Sequence, residues 1–402
     1  MSRTARWPTI RSASRSGSGL TDLATTLEIL ERLTAFDTVS RNSNLDLAAY
    51  AEGFLTGHGF AVTRIPSPDG TKTGLYAEKG PDGPGVLLSA HTDVVPVDGQ
   101  EWTRDPFRLT REGERVYGRG TTDMKGYAAS VLALAGRAAK ADLKEPLKIV
   151  LSYDEEIGCV GIQQMLERLA PLAGSPRACF VGEPTGMQVA TGHKGKAALR
   201  AVCHGQSGHS ALAPEFTNAL HLAADFLSEL RALQADFAAD GARDAAYDVP
   251  YTTVHAGKIT GGTALNIVPD RAEITFEYRH LAADRAGDIL ARIEAAAEKV
   301  SARYPAPEAR IEVAQYNAYP GLDVAPDSPV VAYARKLARS SGSAKVAFGT
   351  EAGFFAQLGI PTVVCGPGSM AGQGHKPDEY LELSQLAACD AMMDRILDDL
   401  TG

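Results

Sequence analysis

The sequence predicts an α/β protein built on a mostly parallel sheet, with a smaller β-α-β-β-α-β unit inserted into it. Three observations lead there. Apolar runs of strand length alternate with stretches of helical apolar spacing in both outer parts of the chain. That rhythm breaks over residues 194–317, where strand patterns dominate with two helical stretches among them. Several apolar runs of the outer parts also stop abruptly at histidine or acidic residues, and open α/β sheets bind ligands outside the carboxyl ends of their strands.

Taken in order, residues 21–36 and 45–58 show helical apolar spacing, and residues 60–65, 74–78 and 85–90 read as strands. A helix over 124–139 follows, then the strand "LKIVLSYDE", a helix over 159–169 and the strand "ACFVGEPT". Inside the insertion, "KGKAALRAVCHGQSGHS" alternates as a half-exposed strand does, and a helix spans 217–237. The strands "YTTVHAGKI" and "RAEITFEYR" come next, and a helix over 283–301 precedes "ARIEVAQY". The α/β rhythm returns with a helix at 328–340, the strand "PTVVCGPG" and a closing helix at 384–399. The expected organisation is a disordered tail over residues 1–19, a main domain from residues 20–193 and 318–402, and an inserted domain over residues 194–317. Insertion at a surface loop suits this plan, because the two chain ends there lie close together.

A chain of 402 residues is long enough for two domains, and 44% apolar with 22% charged residues is the mix of a globular protein with real cores. The net charge of −9 argues against nucleic acid or an anionic membrane as the main partner. No apolar run approaches the roughly 20 residues needed to span a bilayer. The cysteines at 159, 179, 203, 365 and 389 form no CxxC pair, so free buried thiols in a reducing, cytoplasmic compartment are expected. The first nineteen residues are rich in Arg and Ser and carry no acid, which is also the composition of a transit peptide.

The chemistry sits at the strand ends. "GVLLSAHTD" delivers His91 and Asp93, "KIVLSYDEE" ends in Asp154, Glu155 and Glu156, and "ACFVGEPT" in Glu183. "PTVVCGPGSMAGQGHKPDEY" leads through glycines to His375, and "VYGRGTTDMKG" puts Asp123 at the entry to a helix. Two histidines and several carboxylates, with no cysteine, suit Zn²⁺ or a neighbouring first-row ion. Each residue also has a plainer role: Asp123 as a helix N-cap, Asp154 and Glu155 as a solvated strand end, His91 as a core histidine. Their convergence on one sheet edge favours a metal site with two ions and a bridging carboxylate.

The motifs "SAHTDVVPV", "YGRGTTDMKG", "SYDEEIGCVG", "VGEPT" and "GPGSMAGQGHKPDEY", in this order, resemble those of the M20 family of dizinc amidohydrolases. The likeness runs over about residues 21–400. "GQEWTRDPF", "GQSGHSALAP", "FGTEAGFF" and "HKPDEYLE" look most like the acetylornithine deacetylase branch. The resemblance implies two divalent ions, zinc foremost and cobalt as the alternative. His91 and Glu183 would hold one ion, Glu156 and His375 the other, with Asp123 bridging. It implies Glu155 as general base and Asp93 as the residue that orients His91. It also implies that the inserted domain forms a homodimer and that His209 reaches the partner's site to meet the oxyanion. Asn266 and Arg279 would hold the substrate carboxylate. Glu351, on a glycine-flanked loop, is a further substrate candidate, for an ammonium, with a solvated loop acid or a helix N-terminal residue as its alternative. The expected reaction is hydrolysis of N²-acetyl-L-ornithine. Other amide substrates of the family (a succinylated diamino acid, an acylated amino acid, a dipeptide) and a catalytically idle amino-acid-derivative binder are the alternatives.

Overall fold

The computed structural model of the protein describes residues 23–402. The expected tail over residues 1–19 and the start of the first expected helix lie outside the described residues.

The largest sheet has nine strands. In spatial order they are Ala61–Pro66, Thr73–Lys79, Leu147–Ser152, Val86–His91, Ala178–Pro184, Thr362–Gly366, Val189–His193 and Leu322–Asp323, and Ser343–Val346 also pairs with Val189–His193. The four central strands, from Leu147–Ser152 to Thr362–Gly366, run parallel to one another. The sequence dictates that position, because strands covered on both faces must be apolar along their whole length. Alternate side chains then divide between two cores. Val86, Leu88 and Ala90 face one with Ile149, Phe180 and Val363, and Leu87 faces the other with Val150, Val181 and Val364. Helices Leu23–Thr34, Leu45–Gly57, Lys125–Ala138, Pro329–Ala338 and Leu383–Thr401 cover the first face. Val160–Ala173 and the short Ala352–Gln357 cover the second.

A separate four-stranded antiparallel sheet has the order Thr253–Gly261, Arg271–His280, Gly195–His204 and Arg310–Tyr319. Helices Ala219–Asp240 and Ala286–Ser301 share a third core with it, through Phe226, Leu230, Ile289 and Ile293 against Leu199, Ile274 and Phe276. This is the expected β-α-β-β-α-β order. One expectation holds only in part: Gly195–His204 alternates, but its outer face is also buried at Ala198 and Val202. Ala197, Leu199, Ala201 and Cys203 face the third core, and the second face alternates Ala198 and Val202, covered by neighbouring strands, with the more open Lys196, Arg200 and His204. A two-residue ribbon, Gly208–His209 with Ile267–Val268, projects from this sheet. Among the described residues no helix is long and apolar enough to cross a membrane, and all five cysteines are free and buried.

Candidate metal centre

The carboxyl ends of the parallel strands bring the expected residues together. His91 is the last residue of its strand, Glu183 the next-to-last of its own, and Glu155 and Glu156 follow Leu147–Ser152 after Tyr153 and Asp154. Asp123 stands two residues ahead of the helix Lys125–Ala138, and His375 is on the loop after Thr362–Gly366. The two carboxylate oxygens of Asp123 point in different directions. Oδ1 lies 3.0 Å from His91 Nε2 and Oδ2 lies 3.1 Å from His375 Nε2. Glu183 Oε1 is 3.8 Å from His91 Nε2, and Glu156 Oε2 is 3.0 Å from His375 Nε2. His91, Asp123 and Glu156 form one set of donors able to hold an ion, and His91, Glu155 and Glu183 another. The helix-cap alternative for Asp123 fails, since Met124 occupies that position and the Asp123 carboxylate serves the histidines.

The donors fit divalent metal. Two ligand atoms each about 2.0–2.2 Å from one tetrahedral ion are about 3.3–3.6 Å apart, and the separations here run from 3.0 to 3.8 Å. Glu156 Oε1 and Glu183 Oε1 are buried without a hydrogen-bond partner, a costly state that a cation relieves. The electrostatics agree. Burial pushes Glu155 and Glu183 well above the carboxylate range, and the neighbouring acids push further. Glu156 rises to about 7, from burial first and the Asp123 charge second. Hydrogen bonds to Asp123 and Glu156 raise His375 to about 10. For His91 burial works against the charged form, yet Asp123, Asp93 and Glu183 together outweigh it and hold the imidazole well above its usual range. Acids crowded this closely need positive charge among them, as protons or as metal.

The description "Peptidase family M20/M25/M40" matches residues 87–399. The chain belongs to this family. Acetylornithine deacetylase of Salmonella arizonae is 35% identical over 365 residues, covering 89% of this chain and 92% of that one. The Klebsiella pneumoniae acetylornithine deacetylase is 35% identical over 364 residues, with the same coverage. Among solved structures, an M20 family metallo-carboxypeptidase of Sulfolobus solfataricus superposes with a TM-score of 0.77 at 20% identity, covering 94% of this chain and 99% of that one. The Bacillus subtilis YXEP protein, a dinuclear metal-binding peptidase from M20 family, gives 0.67 at 19% identity, with 94% and 99% covered. This M20 chain is therefore a metal-dependent hydrolase of α/β fold.

Several residues of this M20 site hold the donors rather than act as donors. His91 Nδ1 is 3.0 Å from the backbone carbonyl oxygen of Asp93, and the Asp93 carboxylate is farther away, at 3.4 Å. That carboxylate instead accepts the Ser40 hydroxyl at 2.6 Å and the backbone N–H groups of Glu155 and Glu156 at 3.0 and 3.2 Å. Asp93 thus orients His91 mainly through its main chain and fixes the acidic strand end with its side chain. Asp154, expected as part of a solvated strand end, is 8% exposed and pairs with Lys72. Its φ of 55° turns the chain immediately before Glu155. Cys159 Sγ donates to Glu155 Oε1 at 3.3 Å. Lys72, Ser40 and Cys159 received no role from the sequence, because each meets the site through a contact distant in the chain or a fold back at a helix start.

The substrate-side candidates are more scattered. His209 and Asn266 are exposed on the projecting ribbon, outside both donor sets, and His209 Nδ1 accepts the Ala211 N–H at 3.1 Å. Arg279 Nε donates to Glu277 at 2.9 Å, and its charge neighbours Tyr319. Glu351 is not a solvated loop acid; it takes the other alternative, a helix N-terminal residue. It precedes the helix Ala352–Gln357, is 1% exposed, and burial lifts its carboxyl to about 7 beside Ser152, Ser89 and His91. The loop folds inward because Phe354 and Phe355 pack into the second core. Glu351 Oε1 is buried without a hydrogen-bond partner.

Proposed function

We propose that this protein hydrolyses N²-acetyl-L-ornithine to ornithine and acetate with two divalent ions, zinc foremost and cobalt as the alternative. The observation that carries the metal chemistry is Asp123, whose two oxygens each face a different histidine. In this reading His91 and Glu183 would hold one ion, Glu156 and His375 the other, and Asp123 would serve both. Such ions would supply acidified water as nucleophile and polarise the amide carbonyl. Glu155, with Oε1 turned to Cys159, takes a proton on its other oxygen and returns it to the leaving amine. The choice of substrate rests on the 35% identity to acetylornithine deacetylases over 89% of the chain.

The segment 194–317 is read as an inserted dimerisation domain. Its ribbon and the turns beside it carry Leu212, Leu265 and Ile267, which are 50%, 101% and 40% exposed, near His209 and Asn266 in the chain. A second copy seated there buries this apolar surface and brings His209 to the oxyanion of the partner's site. Arg279 and Asn266 then meet the substrate carboxylate, Arg279 exchanging its Glu277 contact for a bidentate one. Five buried free thiols suit a cytoplasmic setting.

The test is turnover of the zinc- or cobalt-loaded protein on N²-acetylornithine, N-succinyl-diaminopimelate, N-acetylmethionine and a dipeptide, each with and without chelator. Chelator-sensitive hydrolysis led by acetylornithine is expected. Another leading substrate overturns the pocket assignment and keeps the chemistry, and no turnover with metal bound returns the chain to a binding role.

A further inference from the structure

One pair of fully buried charges lies outside the donor sets and takes part in none of the steps above. Arg119 and Glu379 are each 1% exposed, and Arg119 Nη1 donates to Glu379 Oε2 at 2.7 Å. The same carboxylate accepts the backbone N–H groups of Gly120, Thr122 and Asp123 at 3.1, 2.9 and 3.1 Å. Arg119 also reaches the opposite loop. Nη1 lies 3.4 Å from the Lys376 carbonyl oxygen, and Nη2 donates to Gln100 Oε1 at 2.6 Å. Gln100 Nε2 in turn donates to the carbonyl oxygen of His375 at 3.3 Å. The Trp102 ring covers the guanidinium at 5.0 Å, and its Nε1 donates to Gln100 Oε1 at 3.0 Å.

A buried ion pair is weak evidence of stability, because desolvation offsets the attraction. What this one supplies is connection. Its bonds run without a gap from the main chain of Asp123, through Glu379, Arg119 and Gln100, to the main chain of His375. The two ends need such a link. His375 has its side chain 44% exposed, has a φ of 60°, and follows the glycine-rich stretch 366–374. That stretch is tied by the Ser369 N–H and the Thr122 hydroxyl, which Gln373 Oε1 accepts at 3.0 and 3.4 Å, while the His375 main chain itself is reached through Gln100. The His375 Nε2 must stay near Asp123 Oδ2 for both to meet one ion.

We propose that Arg119 and Glu379, with Gln100, form a positioning clamp that fixes the Asp123 loop against the His375 loop and so sets the geometry of one ion position. The clamp rests on the two-ion reading given above. It acts on the position shared by Asp123, His375 and Glu156, and leaves His91 and Glu183 on their own strands.

The experiment is zinc titration of the full chain against a chromogenic chelator, with total metal counted, for wild type, Gln100→Ala, Arg119→Lys and Glu379→Gln. Wild type is expected to take two ions. Arg119→Lys and Glu379→Gln are expected to weaken one of the two by about 10–100-fold, and Gln100→Ala to weaken the same one less. At free zinc high enough to refill the position, kcat should recover with KM unchanged, which a general loss of structure does not give. Variants that hold both ions with wild-type affinity overturn the clamp. Wild type that never takes a second ion overturns the two-ion reading beneath it. Should Glu379→Gln fail to fold, Gln100→Ala decides, because this partly exposed side chain can be lost without a buried charge left unpaired, and an unchanged affinity there counts against the clamp.

Discussion

Asp93→Asn changes one atom and isolates what the side chain of Asp93 does. In the native protein one oxygen accepts the Glu155 N–H, and the other accepts the Glu156 N–H and the Ser40 hydroxyl. Asparagine offers a single acceptor oxygen. Whichever way the amide turns, its NH₂ faces one of the two backbone N–H groups and leaves it without an acceptor, at a cost of about 1–3 kcal/mol. Ser40 can rotate to accept and limits the damage. The link from His91 Nδ1 to the Asp93 carbonyl oxygen is unchanged by the substitution. The damage therefore falls on Glu155 and Glu156. Turnover should drop by about 10–100-fold, the usual size for a residue that acts through its neighbours, equal to about 1.4–2.7 kcal/mol in the barrier. The metal position built on His91 should lose little. Steady-state kinetics beside a chelator titration reads both quantities. Turnover within threefold of wild type, or a loss of affinity centred on the His91 position, refutes the assignment.

Glu155→Gln should keep two ions and lower kcat by about 10²–10⁴-fold; activity within tenfold of wild type removes Glu155 as the base. A pH prediction follows from the raised groups. His375, at about 10 against 6.5, contributes stability that is complete below pH 6.5 and is lost as pH rises toward 10. Glu156, at about 7 against 4.5, keeps its proton longer when folded, so stability falls between pH 4.5 and 7. Both act in one direction, the share of His375 being reduced by its exposure. Chelator-stripped protein should therefore lose melting temperature from pH 5 to 9, and metal-loaded protein should lose less because the ions replace the protons. A stripped protein that gains stability across that window contradicts the charge balance described here.

What the sequence made legible followed from local pattern. A strand buried on both faces must be apolar throughout, so the point where apolar character stops marks the sheet edge, and His91, Glu156 and Glu183 were readable there. The strand Val189–His193 was not, because "VATGH" is short, carries polar residues, and owes its burial to neighbours far along the chain. Glu351 misled for the complementary reason. Flanking glycine signals a loop, but the following "AGFF" anchors that loop in the core, and exposure is set by those phenylalanines rather than by the acid. Arg119 and Glu379 lay in plain view within "YGRG" and "HKPDEY", yet they meet each other, and Glu379 meets the backbone N–H groups of the Asp123 loop, across about 260 residues, which no spacing encodes.

The adjacent acids Glu155 and Glu156 show the limit most clearly. Sequence alone leaves their order open, because neighbouring carboxylates have the same chemistry and their directions depend on how the strand ends. The structure supplies the missing variable. With Asp154 in the left-handed region and both following N–H groups held on Asp93, the chain turns so that the two side chains part. Glu156 Oε2 goes to His375, and Glu155 Oε1 goes to Cys159 at the start of the next helix. On the proposed reading Glu156 would serve a metal position and Glu155 would exchange the proton, although Glu155 also lies within reach of His91 and Glu183. That division of labour originates in a turn and its anchor, and so exchanging the assignments of the two acids requires moving Asp93 as well.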